Sequence, residues 1–291
     1  MGLIDANLVP AVDGVAFGLL LFVAAAGLTL AFGTGDVLNL AHGTLYTVGG
    51  YTAAALCDGT WRGLLLALVA GTAAAAAGGA LLAALTAPLR RRGHLAQALL
   101  TFGVALVGGD LLSSAAGPGD LPVAFPAALN ASVLLAGHRY PVHRLALIVV
   151  AAALAGAGQL VLTRTRAGAL VRATVDDPQM VSCLGTDPRR VHAAVLVAGG
   201  ALAGLAGVLG APVIGPGPQS ADTVLLLSLV VVVLGGLGSV GGALLAAVAV
   251  GEVQTLGVVL APDLAPYLLF AAMAGALVLR GRRSGTSWRR A

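Results

Sequence analysis

The segment VLLLSLVVVVLGGLGSVGGALLAAVAVGEVQTLG, residues 224–257, is an almost unbroken apolar run of 34 positions. As one straight helix it would be about 50 Å long at a rise of 1.5 Å per residue, whereas the hydrocarbon core of a bilayer is only about 30 Å thick. A cluster of glycines at 235–242 interrupts the run near its centre. We therefore expect two short or broken helices joined at these glycines, or a re-entrant pair, at membrane depth.

The composition of the whole chain indicates a membrane protein. Hydrophobic residues make up 58% of its 291 residues and charged residues only 10%, whereas soluble domains usually carry about 25% charged residues. Because so few charges cannot cover a water-facing surface, lipid must be the main solvent. The predicted fold class is all-α, a polytopic transmembrane helix bundle that forms a single membrane-embedded domain over residues 1–291.

Seven further apolar runs have lengths suited to membrane helices. They lie at 14–34, 37–57, 63–86, 95–115, 142–163, 191–212 and 264–280. Glycine and alanine are abundant in all of them, and small residues let helices pack closely in lipid. Together with the run at 224–257 they predict eight or nine spans.

Arginine clusters predict how the bundle is oriented. Cytoplasmic loops of membrane proteins carry an excess of basic residues, and arginines cluster at 90–92, throughout 164–190 and in the tail at 281–291. The loop at 116–141 holds a single arginine. We therefore expect the three clusters on the cytoplasmic side, and the loop at 116–141 and the N-terminus outside.

All 16 basic residues of the chain are arginines. A Walker A loop needs a lysine to reach nucleotide phosphates, and a Schiff base also needs a lysine. The sequence shows neither a nucleophile–base pair nor an HExxH pair, and its two cysteines lack metal-ligand spacing. We expect no catalytic residue, no bound metal or cofactor and no nucleic-acid partner, so energy must come from a partner protein or a gradient.

A polar stripe follows the first apolar run. On a helix, Asn39, His42, Tyr46 and Gly50 would share one face at spacings of three and four. Polar side chains inside a membrane are costly and tend to face the bundle interior. The stripe as a whole therefore predicts either a wall of a solute path or a helix contact, whereas for His42 taken alone an interhelical hydrogen bond is the preferred interpretation.

Two carboxylates also lie inside apolar runs, at Asp110 and at Glu252, the only glutamate. Each could contact a solute, pair with a polar neighbour, take part in proton coupling, or reach out to the membrane surface. For Asp110 the structural interpretation is preferred, and for Glu252 both remain open.

The charged stretch 164–190 contains a short capped helix. Asp177 suits an N-cap, Pro178 the first helical position and Gly185 the position after the last turn. These residues predict a helix at 178–184, and Asp187-Pro188 predicts the start of the next span. A rigid helix between two spans is suited to docking a partner, although an ordinary capped connector would have the same pattern.

The chain resembles the permeases of branched-chain amino acid ABC importers, and three motifs carry the resemblance. They are Asn39-Leu40-Ala41-His42-Gly43 followed by Tyr46 and Gly49-Gly50-Tyr51; Gly168, Arg172-Ala173, Asp177, Leu184-Gly185 and Arg190-Val191; and Leu234-Gly235-Gly236-Leu237-Gly238-Ser239 followed by Gly242 and Glu252. Thr44 departs from the family pattern, which commonly has an acidic residue there, and Ala169 stands where a basic residue is frequent.

The resemblance implies a non-catalytic permease subunit of the bacterial inner membrane. Its expected partners are ATPase subunits that use the ATP, a second permease subunit (a paralogue or a copy of itself), an extracytoplasmic solute-binding protein, and lipid. Expected pathway residues are Asn39, His42, Thr44, Tyr46, Gly235, Gly236, Gly238 and Glu252. Expected ATPase-coupling residues are Arg166, Arg172, Asp176, Asp177, Gly185 and Arg190.

Two other classes of function compete with this prediction. A gradient-driven secondary transporter or channel for a small polar solute such as urea or an amide would use Glu252, Asp110 and His42 as coupling or selectivity groups. An intramembrane enzyme would need catalytic residues that the sequence does not display.

Overall fold

A computed structural model describes residues 3–35, 39–117, 119–135, 138–236, 238–264, 267–275 and 278. The helices are α1 (Leu3–Gly35), α2 (His42–Leu56), α3 (Trp61–Thr86), α4 (His94–Ala116), α5 (Ala127–Asn130), α6 (Val142–Arg164), α7 (Arg166–Asp176), α8 (Pro178–Cys183), α9 (Pro188–Gly210), α10 (Ser220–Gly235) and α11 (Val240–Leu260). A 3₁₀ helix, Ala87–Arg92, follows α3, and the strands β1 (Ser132–Leu135) and β2 (His138–Pro141) pair in an antiparallel hairpin. Residues 267–275 are also helical. The predicted all-α bundle is confirmed.

Among the described residues, six helices are long and apolar enough to cross a membrane. These stretches are Leu8–Thr34, Trp61–Leu89, His94–Ala116, Val142–Arg164, Pro188–Gly210 and Val240–Leu260. By contrast, α2 has 15 residues and α10 has 16, so each is only about 23 Å long at 1.5 Å per residue. Five of the predicted runs thus correspond to full-length helices, and the run at 224–257 supplies one more.

Helix α2 begins later than the polar stripe predicts. It starts at His42, whereas Asn39 lies before it with its side-chain Oδ1 accepting a hydrogen bond from the Ala41 backbone amide at 3.2 Å. A side chain that bonds to its own backbone in this way favours a turn over a helix. The prediction that Asn39 shares a helical face with His42 and Tyr46 is therefore wrong.

The apolar run 224–257 divides at its glycines, as predicted. Helix α10 ends at Gly235, and Gly236 and Gly238 adopt positive φ angles of 97° and 75°, which glycine reaches without steric cost. The Ser239 hydroxyl then accepts a hydrogen bond from the Gly242 amide at 3.1 Å and caps α11. The result is two helices, with the Gly238 amide bonded to the Thr29 carbonyl of α1 at 3.2 Å.

Helix α1 lies at the centre of the bundle and packs against α6, α9, α10 and α11. Glycines bring the backbones together, because a Cβ at Gly27 would overlap the backbone of Gly199 in α9. Close approach of this kind is how helices gain packing energy in lipid, where the hydrophobic effect contributes little between them.

One end of the bundle carries the arginine clusters at 90–92 and 164–190. Helices α7 and α8 lie there with the start of α9, because the Thr34 hydroxyl near the end of α1 lies 3.2 Å from Nδ1 of His192. Helix α3 runs antiparallel to α9, with Gly79 against the Leu196 backbone, so the 3₁₀ helix that follows α3 reaches the same end. This arginine-rich end is the one expected to face the cytoplasm, and the basic tail at 281–291 lies outside the described residues.

The opposite end holds the hairpin and the loop that contains it. Asp13 of α1 forms an ion pair with Arg144 at the start of α6 and accepts a 2.7 Å hydrogen bond from the Tyr140 hydroxyl. Burial and this bond to Asp13 raise the pKa of Tyr140 above its ordinary value, so the hydroxyl remains a donor. These contacts join α1 to α6 at the end away from the arginine clusters.

Candidate functional site

A cavity of about 230 Å³ lies where α2, α4 and α10 meet. We name it the α2–α10 cavity, because the first turns of these two short helices form one wall. Its polar lining residues are Thr44, Asp110, Ser113 and Asp222, and its apolar ones include Leu40, Phe102, Leu106 and Leu225. The starts of two short helices and four polar side chains therefore lie around one cavity.

Glycine allows the two first turns to touch. A Cβ at Gly43 of α2 would overlap the backbone carbonyl of Ala221 in α10. Helix α2 starts level with the middle of α1, since Nε2 of His42 donates a 2.6 Å hydrogen bond to the carbonyl of Ala24. Both short helices thus begin at membrane depth, an arrangement tolerated only where the backbone is buried in protein or lines a cavity.

The backbone amides of these first turns belong to residues that line the cavity. No acceptor for the backbone amides of Gly43 and Thr44 in α2, or of Ala221 and Asp222 in α10, is found among the described residues. The first amides of a helix have no partner within the helix, and they favour a negatively charged group. Two such helix starts on one cavity can together hold a carboxylate.

The carboxylates of Asp110 and Asp222 supply the opposite charge. Asp110 lies on α4 and Asp222 in the first turn of α10, and both are exposed to the α2–α10 cavity that they line. Asp222 shares its turn with two of the amide donors, and Asp110 lies on the neighbouring helix α4. A cavity lined by both amide donors and carboxylates can bind a molecule that carries both a carboxylate and an ammonium group. The structural interpretation preferred for Asp110 from the sequence does not anticipate this position.

The predicted pathway residues of the polar stripe do not all reach this cavity. Thr44 lines it, and its hydroxyl donates a weak 3.4 Å hydrogen bond to the Ala105 carbonyl of α4. Asn39, His42 and Tyr46 are instead buried within the bundle. His42 forms the interhelical hydrogen bond that was preferred for it from the sequence, and the Tyr46 hydroxyl lies against Gly210 of α9, so these two side chains secure α2 against its neighbours.

The remaining pathway predictions lie at the two ends of α1. Gly235, Gly236 and Gly238 form the turn between α10 and α11 at the arginine-rich end, where Gly238 lies against Gly33. Glu252 lies against Gly14, which is 19 residues before Gly33 and therefore about 28 Å from it along α1. One solute could not touch both places at once.

The short helix predicted in the arginine-rich stretch is present as α8. The Asp177 carboxylate accepts hydrogen bonds from the amides of Gln179 and Met180 at 2.9 and 3.0 Å, and Gly185 adopts a φ of 84° after the last turn. Asp187 caps α9 in the same way through the Arg189 amide at 2.9 Å. Local capping rules therefore predicted this segment correctly.

The predicted coupling residues are all on the surface of the arginine-rich end. Exposed are Arg166, Arg172, Asp176, Asp177, Gly185 and Arg190. Between them, Met180 and Leu184 of the α8 segment are 61% and 75% exposed, which the sequence interpretation did not single out. Apolar side chains on a capped helix, surrounded by charges, form a surface suited to a protein partner.

Helix α7 was not predicted, yet it connects this surface to the bundle. Its N-cap is Thr165, whose hydroxyl accepts a hydrogen bond from the Gly168 amide at 3.1 Å. Near its other end, Val175 lies between Gly33 of α1 and Gly238 of the α10–α11 turn. The signal that could have found α7 is the cap residue Thr165 followed by a run with polar and apolar sides.

In the described part of the chain, no group of three or more His, Cys, Asp or Glu side chains is placed to hold a metal ion. The two cysteines are free, with Cys57 buried and Cys183 exposed on α8.

Comparison with known proteins places these features in context. Residues 11–279 match the family described as branched-chain amino acid transport system / permease component. The chain is 28% identical over 261 residues to the high-affinity branched-chain amino acid transport system permease protein LivH of Escherichia coli (strain K12), covering 84% of this chain and 83% of the relative. It is 27% identical over 262 residues to LivH of Salmonella typhimurium, with the same coverage of each chain. No solved structure matches.

Proposed function

Because the chain belongs to the family of branched-chain amino acid transport permease components, a family of multi-pass membrane transport proteins, we propose that it moves branched-chain or related amino acids inward across the bacterial inner membrane. The observation that carries this proposal is the match over residues 11–279. Separate ATPase subunits hydrolyse ATP and drive the transport, so this chain is not itself an enzyme and binds no cofactor.

The α2–α10 cavity is the proposed solute contact. The open amides of Gly43 and Thr44, with those at the start of α10, hold the α-carboxylate, and Asp110 and Asp222 hold the α-ammonium group. Discontinuous helices whose N-termini face an anionic substrate group are common in transporters. The apolar side chains on the cavity wall accommodate an aliphatic substrate side chain.

The other predicted pathway residues support the path without forming this contact. Asn39, His42 and Tyr46 hold α2 in place through buried contacts. The glycine turn at Gly235, Gly236 and Gly238 acts as a hinge, while Glu252 lines the path near its outer end. In this proposal all of them are positioning residues, apart from Glu252.

The complete membrane domain has eight or nine crossings. The six long helices are joined by the shorter α2 and α10, each continuing a partial crossing, and by the helical residues 267–275. The domain spans 1–291, with the N-terminus outside, and with the loop 164–190 and the tail 281–291 in the cytoplasm. The arginines then lie on the side that the positive-inside rule requires.

Coupling to ATP hydrolysis passes through α7 and α8. An ATPase docks on α8 with Met180 and Leu184 in its groove, and the charged residues Arg166, Arg172, Asp176, Asp177 and Arg190 surround that contact. Movement of the docked ATPase reaches the bundle through Val175 of α7, which lies against Gly33 and Gly238. The hinge between α10 and α11 therefore moves when the docked ATPase closes.

The full importer also needs a second permease subunit and an extracytoplasmic solute-binding protein. The test is reconstitution of this chain in liposomes with its ATPases, a second permease and a binding protein. Uptake of labelled leucine that depends on internal ATP and on every component supports the proposal. Uptake by this chain alone, driven by an ion gradient without ATPases, would contradict it and favour a secondary transporter.

A further inference from the structure

A second cavity, of about 400 Å³, lies between α6 and α9 on the side of α1. We name it the α6–α9 groove. Every side chain that lines it is apolar, and the lining comes from α1, α6, α7, α9 and Val240. Ala157, Gly158 and Val161 on one bank and Ala194 on the other are exposed, so the groove opens sideways out of the bundle.

The position of the groove places its opening in lipid. It extends along α1 from Phe22 to Leu30, about 12 Å at 1.5 Å per residue, which is within the half-thickness of a bilayer core. Leu30 is three residues from Gly33, which lies at the arginine-rich end. The groove therefore lies in the leaflet next to the arginines, where hydrocarbon rather than water fills an apolar space.

Small residues leave this space empty of protein. Gly158 lies on the α6 bank, and a Cβ there would meet no atom within 4 Å. The opposing bank of α9 presents alanines at Ala194 and Ala198. An acyl chain is slender enough to lie between such banks and to contact α1 beneath them.

Arginines lie next to lining residues in the chain on both banks, at the arginine-rich end of the groove. Arg164 follows the lining residue Val161 by three positions on the same face of α6, and Arg166 immediately precedes the lining residue Ala167. Arg190 lies one turn before Ala194 on the same face of α9. All three are exposed, and none has an ion pair within the described ranges.

The acidic residues nearby do not cancel this charge. The carboxylates of Asp177 and Asp187 accept hydrogen bonds from backbone amides as helix caps. Asp176 lines an adjoining cavity together with Arg172. Stretch 164–190 contains five arginines against these three aspartates, so the mouth of the groove keeps a positive balance.

We propose that the α6–α9 groove binds an anionic phospholipid of the cytoplasmic leaflet, with one acyl chain in the groove and the phosphate on Arg164, Arg166 and Arg190. Basic pockets between membrane helices on the cytoplasmic side are known to select acidic headgroups. Since Ala167, Gly168 and Val171 of α7 form part of the wall, the bound lipid braces α7 against α1. This inference needs the predicted orientation but no ATPase.

Native mass spectrometry of the purified full chain tests it directly. The chain is titrated with phosphatidylglycerol or with phosphatidylcholine of the same acyl chains, and retained lipids are counted. We expect tighter retention of phosphatidylglycerol, with the preference falling about fivefold for each arginine lost in Arg164→Gln and Arg190→Gln. Arg62→Gln, at the opposite end, should leave the preference unchanged. Equal retention of the two lipids by the unaltered chain would overturn the proposal.

A matched pair of glycine variants tests the groove itself. Gly158→Leu adds a side chain to the groove at a position where a Cβ meets no atom within 4 Å. Gly156→Leu lies on the same helix, outside the lining, and a Cβ there also meets no atom within 4 Å. We expect Gly158→Leu to abolish retention of the selected lipid and Gly156→Leu to preserve it, at matched thermal stability. Retention that is the same in both variants would contradict an acyl-chain site.

A photo-crosslinking residue in place of Val161 distinguishes lipid from protein as the occupant. In native membranes we expect adducts with the mass of one phospholipid, and phosphatidylglycerol should predominate among them. A crosslink chiefly to a second protein chain would show that a helix fills the groove, and it would end the lipid proposal.

Discussion

Gly43 in the first turn of α2 lies against the backbone carbonyl of Ala221 in the first turn of α10, so closely that a Cβ on residue 43 would overlap it. This contact brings two helix starts to one wall of the α2–α10 cavity. The cavity lining thus includes the first residues of both helices, which is the basis of the proposed carboxylate contact.

Replacing Gly43 with alanine should separate the two helix starts. Overpacking a tight contact typically costs about 1–3 kcal/mol, and the amides would no longer converge. We expect a lower melting temperature and loss of most ATP-driven leucine uptake in the reconstituted importer. Gly103→Ala on α4, where a Cβ meets nothing within 4 Å, is the control and should behave like the unaltered chain.

Neutralising the cavity carboxylates should weaken solute binding. A hydrogen bond to a charged group contributes about 1.5–3 kcal/mol, so Asp110→Asn or Asp222→Asn should raise the KM for leucine uptake at least about tenfold. Asp263→Asn, an exposed turn residue after α11, should leave KM unchanged. An unchanged KM in both cavity variants would remove these carboxylates from the solute site.

His42 should matter for stability more than for solute affinity. Its Nε2 donates to the Ala24 carbonyl at 2.6 Å and its side chain is 1% exposed. Losing a buried partner costs about 1–3 kcal/mol, so His42→Phe should lower the melting temperature while the KM of the folded fraction stays within about twofold. A large rise in KM without loss of stability would place His42 in the solute path instead.

The apolar tip of α8 should carry the ATPase contact. The double variant Met180→Asp, Leu184→Asp would put two charges into the groove of the docked ATPase. Losing a central interface residue costs about 2 kcal/mol or more. We expect the affinity for the ATPase to fall about thirtyfold, so that less ATPase co-purifies with the double variant. Leu134→Asp in the hairpin, a residue 76% exposed at the opposite end, should leave ATPase binding intact.

Rules that involve only neighbouring residues predicted several helix boundaries correctly from the sequence. The length of run 224–257 against the membrane thickness required a break, and its glycines located it. Capping chemistry at Asp177 and Gly185 predicted α8 because each residue acts on its own backbone. Helical periodicity failed at Asn39, since periodicity alone does not show that an asparagine side chain can favour a turn before a helix by accepting a hydrogen bond from the Ala41 amide.

The cavity could not be predicted in the same way. Gly43, Asp110 and Asp222 are far apart in the chain, and only the packing of α2, α4 and α10 brings them together. Similarly, nothing in the local sequence indicates that Val175 lies between Gly33 and Gly238. Motif resemblance marked the right segments but not the contacts between them.

A single labelling experiment tests the orientation and the docking role together. Cys183 on α8 is exposed, whereas Cys57 is buried, so a membrane-impermeant thiol reagent should modify Cys183 alone, and Cys183→Ser should remove the signal. We expect labelling in inside-out vesicles, none in right-side-out vesicles, and protection when the ATPase binds. Labelling of Cys183 from the outer side, with no protection by the ATPase, would contradict transport driven through this helix.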